Sequence, residues 1–136
     1  MRIAALDVGE ARIGVAVSDE LGLTAQGVGV VRRKGGRHDL EALRAMLDPY
    51  APERVVVGLP LNMNGTEGPQ AERVRRFAAR VGEHLGLPIE FWDERLTTFA
   101  AERALIEADV RRERRREVVD KVAAVIILQG YLERPS

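Results

Sequence analysis

The sequence predicts an α/β domain on a mixed five-stranded sheet, in the order β-β-β-α-β-α-β-α-α, and three features predict it. The chain begins with three short apolar runs whose links are too short for crossovers, so those strands pair antiparallel. It then alternates amphipathic helical periods with apolar runs, the pattern of a parallel extension with helices on both faces. No repeat, low-complexity linker or composition break divides the 136 residues, so one domain spans 1–136. That length can bury roughly two thirds of its unfolded surface.

Residues 2–8 form the first strand, ended by Gly9, and residues 12–18 follow after the tight Gly9-Glu10-Ala11 turn. Residues 25–32 make the third strand, and Gly35-Gly36 breaks the chain. In 38–48, Leu40, Leu43, Met46 and Leu47 share a helical face, and Pro49 and Pro52 end the helix. Residues 54–59 are almost continuously apolar, as in the middle of a parallel sheet. A polar loop runs from Pro60 to Pro69. Residues 70–85 turn Val74, Phe77, Ala78, Val81 and Leu85 inward, with Gly86 as the cap. Residues 88–92 form the fifth strand. Thr97 or Thr98 caps a helix to about 107, Asp109 to Glu117 is a charged mobile segment, and 118–133 form the last helix.

Composition narrows the chemistry. There are no cysteines, which excludes disulfides, thiolate metal sites and a cysteine nucleophile. The two histidines, His38 and His84, fall in helical, polar segments, so acid–base or metal chemistry must rest on carboxylates. No apolar run approaches 18 residues, and Asp7 comes too early for a secretory leader, so the expected location is the cytoplasm, with no membrane partner. Net charge is zero, but the bases are nearly all arginine, clustered at Arg32-Arg33, Arg73-Arg75-Arg76 and Arg111-Arg112-Arg114-Arg115-Arg116. Arginine grips phosphate bidentately, although such clusters are also common as solvated faces.

Ligands of open α/β sheets gather at the C-terminal strand ends. Asp7 ends the first strand, and Asp93-Glu94 end the fifth. Asp120 falls in the first turn of the last helix, with the small Ala123 and Ala124 on its face to allow close approach to the sheet. Each acid also has an ordinary reading, as a turn former, a helix-dipole partner or an ion pair with Arg95. Strand alternation leaves Asp93 and Glu94 open as alternatives, with Glu94 preferred. Converging carboxylates repel one another, and a hard cation such as Mg²⁺ or Mn²⁺ relieves that repulsion. Paired ions of this kind serve phosphodiester hydrolysis. The loop holding Asn62 and Asn64 is either a phosphate cradle or a plain connection with Thr66 as the helix cap. Trp92 reads as packing.

Four stretches together resemble the YqgF family, also called RuvX, of bacterial RNase H-like proteins. They are Leu6-Asp7-Val8-Gly9 continuing to Arg12-Ile13-Gly14-Val15-Ala16-Val17-Ser18-Asp19; Val57-Gly58-Leu59-Pro60-Leu61-Asn62-Met63-Asn64-Gly65-Thr66; Asp93-Glu94-Arg95-Leu96-Thr97-Thr98; and Asp120-Lys121-Val122-Ala123-Ala124-Val125-Ile126-Ile127-Leu128-Gln129. The element order agrees with a ribonuclease H-like fold. The resemblance implies a metal-dependent nuclease in 5′-end processing of pre-16S ribosomal RNA, and a fold shared with the Holliday junction resolvase RuvC. It places the catalytic and metal-binding acids on Asp7, Glu94 (or Asp93) and Asp120. A fourth acid of some relatives has no counterpart, because strand four ends in Gly58-Leu59-Pro60.

The expected partner is nucleic acid, either precursor ribosomal RNA or branched DNA, bound by a monomer or weak homodimer. Arg12, Arg95, Lys121, the 111–116 arginines, Asn62 and Asn64 are the candidate contacts. Three rivals stand beside this reading: a four-way junction resolvase, a nucleotide-binding module like those of actin and sugar kinases, and a non-catalytic ribosome-assembly factor.

Overall fold

A computed structural model describes residues 1–96 and 112–135. The strands are β1 (Ile3–Val8), β2 (Arg12–Ser18), β3 (Ala25–Arg32), β4 (Arg54–Leu59) and β5 (Ile89–Asp93). The helices are α1 (Gly36–Leu47), α2 (Pro69–Leu85) and α3 (Arg112–Leu132), with single 3₁₀ turns at Asp48–Tyr50 and Glu94–Leu96. The strands lie in the order β3-β2-β1-β4-β5. β1 pairs antiparallel with β2 and parallel with β4, which in turn pairs parallel with β5. The mixed sheet is as the sequence predicts, and β4 lies between the strands that carry Asp7 and Asp93.

Strand alternation splits the interior in two. Ala4, Leu6, Ile13, Val15, Val17, Val55 and Val57 pack with α1 and α2 on one face. Ile3, Ala5, Ala16 and Val56 pack with α3 on the other, against Ala123, Ala124, Ile127 and Leu128. The two faces differ in size of side chain. Branched residues fill the first, whereas alanine and glycine line much of the second and let α3 lie close on β1, β2, β3 and β4.

The contact is tightest at Gly14. A Cβ built there would stand 1.8 Å from the carbonyl oxygen of Asp120, so the α3 backbone occupies the side-chain space of residue 14. At Gly58 a Cβ would stand 2.6 Å from Ile127 Cδ1. A glycine inside a strand marks such a close approach.

Three expectations need correction. α3 starts at Arg112, so 112–117 are helical rather than part of an irregular charged segment. Arginine and glutamate are good helix formers, and neither Gly nor Pro interrupts 111–129. Asp120 therefore lies well inside the helix, and the N-terminal dipole does not explain it. Thr66 is not the cap of α2: Gly68 precedes Pro69, and the Thr66 hydroxyl donates to Asn64 Oδ1 at 2.6 Å. The expected helix from 97 or 98 to 107 lies outside the described residues.

One buried charge fastens β3 to α1. Asp39 is fully buried in the first turn of α1. It accepts from Arg33 Nε at 3.2 Å, from the Lys34 amide at 2.9 Å and from the Gly35 amide at 3.2 Å. His38 Nδ1 stands 3.2 Å away. Burial pushes the Asp39 carboxyl up, but the Lys34 amide, His38 and Arg33 outweigh it and hold the group below its ordinary value. Arg33 also donates to the Gly9 carbonyl at 2.9 Å, and its guanidinium stacks 4.5 Å above the Phe77 ring.

Two outcomes follow from this packing. Gly14→Ala should cost about 2 kcal/mol or more, because backbone rather than a pliable side chain must move; a denaturant titration against wild type measures it. Asp39 has a depressed folded-state pKa, so its stabilisation is present above the unfolded value of 3.8 and is lost as pH falls below it. Asp39→Asn should therefore lower stability at neutral pH and flatten the decline below about pH 4, read as melting temperature against pH.

Candidate active site

Asp7 is in phase with Ile3 and Ala5, so its side chain belongs to the α3 face, and it is 9% exposed. Its registered partner on β2 is Gly14. On β4, Gly58 follows Val57, the partner of Leu6. Asp7 is thus flanked by glycine on both neighbouring strands, and a different acid-bearing segment fills each gap. The α3 backbone at Asp120 rests on Gly14. The Glu94 carboxylate lies over Gly58, where a Cβ would come within 2.6 Å of Oε1. Asp7, Glu94 and Asp120 come from three elements to one sheet end.

They do not form a closed cage. Among the described residues, no three Asp, Glu or His side chains stand close enough to hold an ion between them. Asp120 is 7% exposed, and its Oδ2 accepts from Arg12 Nε at 2.6 Å. Arg12 is in strand phase with Gly14 and shares the α3 face. Asp7 and Glu94 also have interaction partners.

Asp93 goes elsewhere. It pairs across β5 with Leu59, a residue of the α1–α2 face. Arg95 grips it, with Nε 3.1 Å from Oδ1 and Nη2 2.7 Å from Oδ2, and the Arg95 amide donates to Oδ1 at 2.9 Å. The guanidinium holds the Asp93 carboxyl below its ordinary range. Glu94, the next residue, continues the alternation of Glu90 and Trp92 onto the Asp7 side, and the chain turns into a 3₁₀ turn there. Of the two alternatives, only Glu94 faces the other acids.

The predicted nucleic-acid contacts divide. Arg95 is turned toward the loop after β4, donating to the Met63 carbonyl at 3.2 Å and lying against Gly65. That loop is closed on itself. Asn62 Nδ2 donates to Thr66 Oγ1 at 3.0 Å, the Asn62 amide to the Thr66 carbonyl at 2.9 Å, and the Thr66 amide to Asn64 Oδ1 at 3.1 Å. The Asn62 and Asn64 side chains hold the loop's shape, and its tip, Met63, is 94% exposed. The Lys121 stem lies across Gly27 of β3. Arg112, Arg114, Arg115 and Arg116 fall on the first turns of α3, and their side chains, like Arg111 altogether, lie outside the described residues. Trp92 packs edge-on against Tyr131, with ring centroids 6.2 Å apart.

Sequence reasoning passed over Gly14 and Gly58 as elements of the site. Their signal was present: each is a single glycine inside an otherwise apolar strand. It also passed over the Arg33–Asp39 pair, whose partners are too ordinary in sequence to announce burial.

Comparison with known proteins agrees with this architecture. The model of a family described as RuvX, Holliday junction resolvase, matches residues 1–134. A protein of Symbiobacterium thermophilum described as "Putative pre-16S rRNA nuclease" is 60% identical over 133 residues, covering 98% of this chain and 92% of that protein. A Clostridium kluyveri protein of the same description is 55% identical and covers 100% and 99%. Among solved structures, Thermus thermophilus RuvC in complex with a Holliday junction superposes with a TM-score of 0.59 at 18% identity, covering 97% of this chain and 93% of that one. The fowlpox virus Holliday junction resolvase superposes with a TM-score of 0.54 at 13% identity, covering 98% of each chain. At those identities the superpositions speak for the fold alone, which is RNase H-like. The family match from the first residue to the 134th, carried by relatives that share more than half of all positions, means that this chain belongs to the RuvX family.

Proposed function

We propose that this chain is a divalent-metal-dependent nuclease that hydrolyses phosphodiester bonds in structured RNA, with 5′-end processing of the 16S ribosomal RNA precursor as its task. The observation that carries the reading is the delivery of Asp7, Glu94 and Asp120 to one sheet end through the spaces left by Gly14 and Gly58. Two of these acids are nearly buried, and drawing the three carboxylates together around a cation would offset their mutual repulsion. The donor set is all carboxylate oxygen, which suits Mg²⁺ or Mn²⁺. Asp7 would hold the metal centrally, with Glu94 and Asp120 completing its protein ligands. When bound, such an ion supplies charge to the phosphodiester and lowers the pKa of an attacking water.

The remaining residues prepare the site. Arg12 fixes Asp120 through an ion pair at 2.6 Å. A guanidinium there can also turn to an incoming phosphate, for which its planar fork is suited. Arg95 is a positioning residue: it holds Asp93 away from the acids and ties the loop after β4 to the end of β5. Asn62 and Asn64 keep that loop preformed at the edge of the site. The whole activity belongs to one domain, residues 1–136, acting as a monomer or weak homodimer. A precursor ribosomal RNA as substrate sets its place in the cytoplasm, and no described helix is long and apolar enough to cross a membrane.

A second reading, resolution of four-way DNA junctions, is favoured by the family description. RNA ranks first because the full-length relatives at 54–60% identity carry the ribosomal RNA description. The deciding assay is Mg²⁺- or Mn²⁺-dependent cleavage of labelled pre-16S RNA and of a four-way junction. Asp7→Asn should reduce cutting by roughly a hundredfold or more while the folded state is retained, as circular dichroism checks. Equal cutting by the variant would refute the assignment, and the preferred substrate decides between RNA and junction.

A further inference from the structure

Successive residues of β1 point to opposite faces of the sheet. Asp7 faces α3 and the acids. Val8 faces the other way and lines a groove of about 680 Å³ between the β1–β2 turn and α2. That volume is in the range of clefts that take nucleotide-sized ligands. Four arginines border it, Arg33, Arg73, Arg76 and Arg80, against one acid, Glu10.

The arginines differ in how they are used. Arg33 is committed to Asp39 and the Gly9 carbonyl, and forms a fixed cationic wall. Arg73 stands 3.7 Å from Glu10, and both are well exposed, so this pair is weak. Arg76 and Arg80 are exposed, and among the described residues no acid pairs with either. The protein does pair its neighbouring arginines: Arg75 forks onto Glu67 at 2.6 and 2.9 Å, and Arg37 meets Glu41 at 3.2 Å. Residues 73, 76, 77 and 80 are spaced to share one helical stripe, and like charges four apart on a helix weaken it. A stripe of three arginines above a cavity thus costs helix stability, and among the described residues only the weak Arg73–Glu10 pair offsets that cost.

We infer that this groove binds the phosphate backbone of the nucleic-acid strand that runs through the acidic site, on the far side of the Gly9–Ala11 turn. The inference rests on the nuclease reading for the identity of its ligand. A strand with one phosphate at Asp7 passes over the turn and brings its next phosphates to α2. From Arg73 to Arg80 the helix advances about 10 Å, matching about three phosphates of a stacked strand at 3.4 Å each. The same chemistry would also take a free nucleotide or inorganic phosphate, and the test separates these sources.

The experiment is fluorescence anisotropy of wild type and Arg76→Gln/Arg80→Gln with a labelled 20-nucleotide RNA across a salt series, with chelator present so that cutting does not intervene. Arg44→Gln/Arg134→Gln removes the same charge at the opposite sheet end. The groove variant should bind on the order of tenfold more weakly and lose about 1.4 from the log–log salt slope, at about 0.7 for each single-strand phosphate. The control should change neither by more than about twofold. In cleavage, KM should rise for the groove variant while kcat holds. Wild-type affinity and slope in the groove variant would overturn the inference and leave the nuclease reading untouched. Equal losses in both variants would also overturn it, as an effect of net charge. If the groove variant loses inorganic phosphate or free-nucleotide binding but keeps RNA binding, the site is a free-anion site and the strand path is wrong. If wild type cuts no substrate yet the groove variant alone loses RNA affinity, the groove stands and the nuclease reading falls.

Discussion

Everything at the acidic end of this molecule depends on the α3 backbone lying in the side-chain space of Gly14. No larger residue leaves room for the Asp120 carbonyl, since a Cβ would overlap it at 1.8 Å. The same closeness recurs around it: alanines of β1 and β2 face Ala123 and Ala124 across the interface. Small residues bury little area each, so this face trades apolar burial for proximity. The branched side chains under α1 and α2 supply the larger share of the core, and stability and chemistry are divided between the two sides of one sheet.

Arginine holds the resulting charges in place. Arg12 fixes Asp120, Arg33 fixes Asp39, and Arg95 fixes Asp93. These pairs differ in what they do. Arg33–Asp39 is structural, closing the β3–α1 junction and the β1–β2 turn with backbone amides as further donors. Arg95–Asp93 sorts two adjacent acids, sending one to each face. Arg12–Asp120 compensates the charge of a nearly buried carboxylate where α3 crosses β2. A chain with zero net charge can in this way present strongly local fields.

The strands were legible because short apolar runs between glycines have few other readings. The antiparallel pairing of the first three followed from link lengths, and all five fall within a residue or two of expectation. Asp7, Glu94 and Asp120 were found as strand-end and helix acids, but their meeting was an inference from topology. The start of α3 was misjudged because a run of arginines resembles a solvated loop in composition while having good helix propensity. The choice between Asp93 and Glu94 could not be read from alternation, since alternation separates the two but does not say which face of β5 looks toward Asp7 until its register with β4 is known. The groove along α2 was visible only as arginine clusters, because nothing in sequence says which arginines lack acids across the fold.

The Arg12–Asp120 pair joins positions 108 residues apart. The helix that delivers Asp120 follows every strand in chain order. Closing so long a loop costs conformational entropy, which the packing of that helix on the sheet must offset. That helix also covers one face of the sheet, so the segment that brings Asp120 to the strand ends is the same one that completes the second half of the core.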